Sequence, residues 1–257
     1  MMSARVSIAV GVYNGECYLV ELLDSIRAQT FTDWECVLVD DGSTDGSAQI
    51  LHDFAARDSR FRVLSQTNAG VGAARNAAMR ASAAPFLMFA DQDDRLAPTA
   101  VARALEVIES AQADVVRFHS NRVAKGSVFV WEHIYRRAAL SDVAFPPITG
   151  GEDTAFFWEL SFRDLVRVEI PDVLYWQRPH RGSFSRAVSP HYIANVFTGF
   201  RVMARTGRRY GLTSWGLVRR LFPHVAWFVL SVLARHFSWA NVCALCREGF
   251  RSEDAHG

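Results

Sequence analysis

Apolar and polar positions along the first half of the chain switch repeatedly between two periods. Val6 to Val12 is rich in β-branched and apolar residues and stops at Tyr13-Asn14-Gly15. Beyond that break Leu19, Leu22, Leu23 and Ile26 recur at helical spacing as far as Gln29, which predicts a strand followed by a helix. The unit then repeats. Glu35 to Val39 reads as a strand, Ser47 to Ala56 as a helix, Phe61 to Leu64 as a strand, Gly72 to Ala81 as a helix, and Phe86 to Phe89 as a strand. A further helix opens at Pro98, a residue suited to a first helical turn. It carries Val101, Leu105 and Ile108 and leads to a short strand from Val115 to Phe118. Strands alternating with helices predict an α/β fold with a mostly parallel, Rossmann-like central sheet and right-handed crossovers.

The polar residues fall where such sheets bind ligands, outside the carboxyl ends of the strands. Tyr13-Asn14 follows the first strand, Asp40-Asp41-Gly42-Ser43 the second, Asn68-Ala69-Gly70 the third, and Asp91-Gln92-Asp93-Asp94 the fourth. Four strand ends are thereby expected to converge on one crevice.

Composition changes the picture in one respect. A chain of 257 residues, half of them hydrophobic, can bury a sizeable core and is not expected to be disordered. Its formal charge of +1 hides an asymmetry, because from Arg186 onward ten arginines stand against Glu248, Glu253 and Asp254. The tail is thus strongly basic and the body acidic, which suits a metal-nucleotide site in the body and an anionic surface against the tail. Nucleic acid is not an expected partner, since no basic stripe interleaves with aromatics in the body. The N-terminal apolar run is too short for a signal peptide, and Cys17, Cys36, Cys243 and Cys246 read as reduced thiols, so a cytoplasmic location is expected.

Each polar cluster has a plain reading and a chemical one. Asp91-x-Asp93 is either a solvated, capping turn or a crowded carboxylate set that a hard divalent ion, Mg²⁺ or Mn²⁺, would bridge to substrate phosphates. Asp40 to Ser47 is a turn with an N-cap, or it places a carboxylate against a base imide beside the stacking ring of Tyr13. Asn68 to Asn76 is glycine-rich without being a Walker or dinucleotide loop. It reads as a helix N-terminus beside a nucleotide, with Arg75 reaching phosphate or base. Glu152-Asp153 either caps an apolar helix or supplies a general base. Gln177 to Ser185 is a surface loop or a cationic clamp over pyrophosphate.

Taken in order, Val-Gly-Val-Tyr-Asn at 10–14, Gln-Thr-Phe-Thr-Asp-Trp-Glu at 29–35, Val-Asp-Asp-Gly-Ser-Thr-Asp at 39–45, Asn-Ala-Gly-Val-Gly-Ala-Ala-Arg-Asn at 68–76, Phe-Ala-Asp-Gln-Asp-Asp at 89–94, Glu-Asp at 152–153 and Arg-x-His-x-x-Ser-x-Ser from Arg178 resemble the inverting family 2 glycosyltransferases of the GT-A fold. The resemblance implies a catalytic domain over residues 1–186 and a helical tail over 187–257. It implies that Tyr13 and Asp41 hold the base, usually uracil, that Asn68 and Arg75 help bind the nucleotide, and that Asp91 contacts ribose or donor sugar and borders the metal. Asp93 would be the main protein ligand to Mn²⁺ or Mg²⁺, His180 would lie near metal and pyrophosphate, and Asp153 would be the catalytic base. The implied reaction moves a sugar from a nucleotide-sugar donor, most often a UDP-sugar, to a hydroxyl of a glycan or lipid-linked glycan in cell-surface polysaccharide assembly. Two departures stand out: Trp131-Glu132-His133 occupies a place where a basic residue is common, and the tail matches no motif.

In that tail Val225 to Ala234 is apolar, flanked by arginines and by Trp215, Trp227 and Trp239, and too short to span a bilayer. An interfacial helix at the inner face of the membrane and a packing or oligomer element are the two readings. A nucleotidyltransferase is disfavoured because Tyr13-Asn14-Gly15 stands where its basic, glycine-rich segment would lie, and a dehydrogenase because the same turn lacks its glycines. A nucleotide-sugar-binding scaffold without catalysis is disfavoured by the retained Asp93, Asp153 and His180.

Overall fold

The computed structural model describes residues 4–122, 129–148, 151–179 and 201–213. His180, the remainder of the clamp to Ser185, the apolar run Val225 to Ala234, and Cys243 and Cys246 lie outside the described residues. The chain divides into two compact units, Met1–His180 and Arg181–Gly257.

In the first unit the chain runs β1 (Val6–Val12), α1 (Glu16–Arg27), β2 (Trp34–Asp40), α2 (Ser47–Arg57), β3 (Phe61–Ser65), α3 (Val71–Ala81), β4 (Phe86–Asp91), β5 (Arg95–Leu96), α4 (Ala100–Ser110), β6 (Val115–Ser120), β7 (His133–Arg136), α5 (Glu152–Leu160) and β8 (Arg167–Trp176), with short 3₁₀ turns on either side of β7. The eight strands form one sheet in the order β3-β2-β1-β4-β7-β6-β8-β5.

The strand period sorts side chains onto two faces. Val6, Ile8, Val10 and Val12 of β1 and Cys36 and Leu38 of β2 point to one face, where Leu19, Leu22, Leu23 and Ile26 of α1, Leu51 and Phe54 of α2, and Val101, Leu105 and Ile108 of α4 cover them. Ala9, Val37, Val39, Leu87 and Phe89 point to the other, under Ala74 and Ala78 of α3 and Phe156 and Leu160 of α5. Burial on both faces explains why the central strands are nearly continuous apolar runs. Phe89 is the aromatic hub of the second face, in edge contact with Tyr135, Phe145 and Phe156.

The first half of the sheet is parallel, as the alternation predicts: β1 pairs with β2 and β4, and β2 with β3. The second half is mixed. β7, absent from the sequence expectation, lies antiparallel between β4 and β6, so β6 keeps the direction of β4 but not its neighbourhood. β8, equally unanticipated, runs parallel to β6 through two register shifts and pairs antiparallel with β5. A four-residue strand is too short to display a period of two, and Pro171 together with those shifts interrupts the pattern of β8.

In the second unit residues 201–209 are helical. The helix ends at Gly211, whose φ of +81° is readily adopted by glycine. Bonds from Leu212 N–H to Gly207 O (2.9 Å) and from Gly211 N–H to Arg208 O (3.0 Å) close the motif. Among the described residues no helix is long and apolar enough to cross a membrane.

Candidate active site

The parallel registers Val12↔Asp40, Gly11↔Asp91 and Asp40↔Ser65 bring the ends of β1 to β4 to one rim. Tyr13 stands there with 46 % of its surface exposed, leaving an aromatic face free for stacking. The following Asn14 takes a left-handed φ of +49° and is tied to the next loop: its N–H donates to Ser43 Oγ (3.1 Å) and its Oδ1 accepts from Thr44 N–H (2.8 Å).

In the loop after β2, the helix-capping reading is realised by Asp45. Its carboxylate accepts from Ser47 N–H (3.0 Å) and Glu16 N–H (3.2 Å), while Glu16 accepts from Gly46 N–H (2.9 Å). Asp41 is buried and its oxygens already accept from Gln66 Nε2 (2.7 Å), Ala69 N–H (2.9 Å) and Gly70 N–H (2.8 Å). It therefore fastens the β2 end to the loop entering α3. Asp40 accepts from Ser43 N–H through Oδ1 (3.0 Å). Gly42 lets this turn close: its φ is +74°, and a Cβ there would sit 3.0 Å from Asn68 N. Asn68 itself is exposed.

Arg75 joins the acids that the sequence left apart. Only 5 % of its side chain is exposed, and it donates to Asp91 Oδ1 (2.7 Å) and Asp153 Oδ1 (2.6 Å), with Glu152 Oε1 at 3.5 Å. Its guanidinium also lies 5.4 Å from the Phe145 ring centre. The neighbouring Asn76 exchanges two 2.8 Å bonds with the Phe145 backbone, so the Arg-Asn pair of α3 anchors the chain leading to α5. Burial alone would lower the guanidinium pKa, but the three carboxylates raise it. Where the sequence placed Arg75 toward phosphate or base, the structure has it between carboxylates.

Asp153 lies in the first turn of α5, after the N-cap Gly151, and its carboxylate turns away from that helix to Arg75 and Val130 N–H. Its second oxygen meets Val130 N–H at 3.4 Å. Burial pushes its carboxyl up to about 7 against the pull of Arg75, with repulsion from Glu152 and Asp91 adding to the rise. A half-buried acid that ionises near neutrality is suited to accepting a proton.

The acidic turn after β4 is held from below. Tyr175 is fully buried, accepts from Asp91 N–H through its hydroxyl (2.9 Å) and bonds to Asp94. Its ring stacks on Trp131 at 4.4 Å, which stacks on Phe129 at 4.7 Å. Burial pushes the Asp94 carboxyl up to about 8, helped by Asp91 and Asp93, while Arg178 N–H donates to it (2.8 Å). Burial likewise raises Asp91, against Arg75 and with Asp93, although 31 % of its side chain stays open to water. Arg178 also donates through Nε to Asp93 O (3.1 Å), pairs with Glu21 and lies over the Tyr18 ring, so it anchors the strand exit.

Among the described residues no three His, Cys, Asp or Glu side chains form a closed metal cage. The neighbouring carboxylates of Asp91 and Asp93 nevertheless fit Mg²⁺ or Mn²⁺, which take one or two carboxylates and complete their shell with substrate oxygens. Burial raises Asp91 most, and the repulsion from Asp93 that adds to it is what such a cation would relieve. A shallow cleft between α1 and α2, floored by Ile50 and Phe54, is separate and contains none of these groups.

Sequence reasoning missed Gln92, Tyr175 and Val130 as parts of this site. None carries a charge at neutral pH, and each contributes through contacts that only the folded chain creates.

The family model described as Glycosyl transferase family 2 matches residues 7–166. The uncharacterised glycosyltransferase EpsJ of Bacillus subtilis is 30 % identical over 217 residues, which is 70 % of this chain and 63 % of EpsJ. The chain thus spans less than two thirds of that relative. Among solved structures, S. aureus TarS 1-349 in complex with UDP-GlcNAc superposes with a TM-score of 0.75 at 24 % identity, covering 92 % of this chain and 77 % of that one. The mannosyltransferase PcManGT of Pyrobaculum calidifontis, in complex with GDP-Man and Mn²⁺, gives a TM-score of 0.62 at 20 % identity, covering 99 % and 82 %. At these identities the two structures establish a shared GT-A architecture.

Proposed function

Because the chain belongs to glycosyl transferase family 2, we propose that it transfers a sugar from a nucleotide-sugar donor to a hydroxyl of a glycan or lipid-linked glycan, with inversion at the anomeric carbon. The observation that carries this reading is the meeting of Asp91 and Asp153 on one buried guanidinium at the strand ends, with the Asp153 carboxyl pushed up to about 7.

In this reading Asp153 takes the proton from the acceptor hydroxyl as its oxygen attacks the anomeric carbon from the side opposite the departing nucleoside diphosphate. Arg75 holds Asp153 in place and draws its carboxyl down against its burial. Tyr13 offers its exposed ring to the base, and Asp40, which accepts from Ser43 N–H, is better disposed than Asp41, which already accepts three hydrogen bonds, to take a base N–H. Asp93, with Asp91 beside it, would hold the divalent cation, and His180 would border it. When bound, that cation supplies positive charge for the diphosphate leaving group. A UDP-sugar is the proposed donor, by analogy with the UDP-GlcNAc complex of TarS and because Tyr13-Asn14 and Asp40-Asp41 stand at the ends of β1 and β2 here. The Arg-rich segment from Arg186 is proposed to contact anionic lipid at the cytoplasmic face of the membrane.

Calorimetry tests the donor side. UDP with Mn²⁺ should bind the wild-type chain, and Asp93→Ala should weaken that binding by about tenfold or more, a loss of about 1.4 kcal/mol. Equal affinity in the two proteins would remove Asp93 from the metal site.

A further inference from the structure

Gln92 stands between Asp91 and Asp93, and its side chain turns to the backbone of Tyr13, the residue that follows β1. Its Oε1 accepts from Tyr13 N–H at 2.8 Å, and its Nε2 donates to Tyr13 O at 3.0 Å. One carboxamide thus satisfies both polar groups of one residue's backbone, which lie beyond the end of the β1–β4 ladder. The β1–β4 ladder ends at Gly11↔Asp91, so Gln92 extends the pairing of these strands past the last backbone register. The place beside it is cleared by Gly15, where a Cβ would meet Gln92 Oε1 at 2.6 Å.

The consequence is mechanical. The Tyr13 ring is nearly half exposed, so little packing fixes its direction, and the backbone that carries it must do so. On one side that backbone is bound by Asn14 to Ser43 and Thr44. On the other it is bound by Gln92 to the acidic turn. Glutamate could not donate to Tyr13 O, and asparagine is one methylene shorter, so the side-chain type matters.

We infer that Gln92 is a positioning residue that sets the base-stacking ring of Tyr13 at a fixed distance from the carboxylates serving the diphosphate, so that one nucleotide is gripped at both ends. This rests on the nucleotide-sugar reading above. Gln92 does not touch the reacting atoms. It acts through Tyr13, and its loss should be felt by ligands that possess a base and not by those that have only phosphates.

The experiment uses the full chain and two probes, UDP and inorganic pyrophosphate, each titrated with Mn²⁺ present. Gln92→Met, which keeps the length and removes both hydrogen bonds, should weaken UDP by about tenfold, the size of one lost stacking contact, and leave pyrophosphate within about twofold. Gly15→Ala approaches the same clamp from the other side. Its methyl displaces the Gln92 amide, while the backbone φ of −102° is one alanine adopts, so it should reproduce the selective loss even if Gln92→Met folds poorly. Unchanged UDP affinity in either folded variant overturns the inference, as does an equal loss for UDP and pyrophosphate, which would make Gln92 a support for the acidic turn alone. A wild-type chain that binds pyrophosphate but no nucleoside diphosphate overturns the nucleotide reading itself, and this inference with it.

Discussion

Asp153→Asn should lower sugar transfer by about a hundredfold or more, the contribution of a positioned general base, while UDP affinity stays within about twofold. Asparagine keeps the size of the side chain and its single Oδ1 can still accept from Arg75 or from Val130 N–H, but it cannot take a proton. A capping role would instead show as lost stability with chemistry intact, and the Asp153 oxygens bond Arg75 and Val130 N–H, which belong to other elements. The pH profile supplies a second reading. With the carboxyl at about 7, the active, ionised form grows as pH rises, so transfer by the wild-type chain should climb between about pH 6 and 8 and level off above. Measuring initial rates across that range, together with UDP titrations of the variant, separates the roles. An unchanged rate in Asp153→Asn would remove it from proton transfer, and lost UDP binding would move it to the donor site.

Arg75→Met should be the most destabilising substitution in the site. The variant leaves Asp91, Glu152 and Asp153 facing one another around an apolar side chain, and breaking a buried pair from one side costs about 3–5 kcal/mol. For a protein of this size that is a fall of about ten degrees in melting temperature. The sign of the catalytic effect follows from the same charges. Arg75 pulls the Asp153 carboxyl down against its burial, so removing the cation raises it further. Transfer at pH 7 should then drop and recover in part as pH is raised toward 9. Arg75→Lys keeps a charge, but a single ammonium cannot span both carboxylates as the guanidinium fork does, so it should fall between the two. Differential scanning fluorimetry and rate–pH profiles check both arms. If stability and profile were unchanged while UDP binding vanished, Arg75 would belong to the nucleotide.

Much of this protein is determined by the sequence on its own. Strands β1 to β4 and the helices between them are local in origin: the period-two and helical-face patterns of Val6 to Val12, Leu19 to Ile26, or Val101 to Ile108 need no distant partner to be read. The convergence of Tyr13, Asp40, Asp41, Asn68 and Asp91 on one rim follows from parallel topology once those strands are placed. What those residues do to each other is not local. Arg75 is 16 positions from Asp91 and 78 from Asp153, and no spacing rule links them. Only the packing of α3 and α5 over Phe89 sets the three side chains against one another and makes an arginine that suits a phosphate into a brace between acids. In the same way Asp41 looks as available as Asp40 in the sequence, and only the fold of the following loop, which aims two amide N–H groups and Gln66 at it, makes the two neighbours differ. The strand β7 belongs to this second class as well, because four residues carry too little pattern to declare themselves, and it is the open edge of β4 that gives them a place. Periodicity is a property of neighbours along the chain, whereas hydrogen-bond partners and desolvation are properties of neighbours in space, and the chemistry of this site depends on the latter.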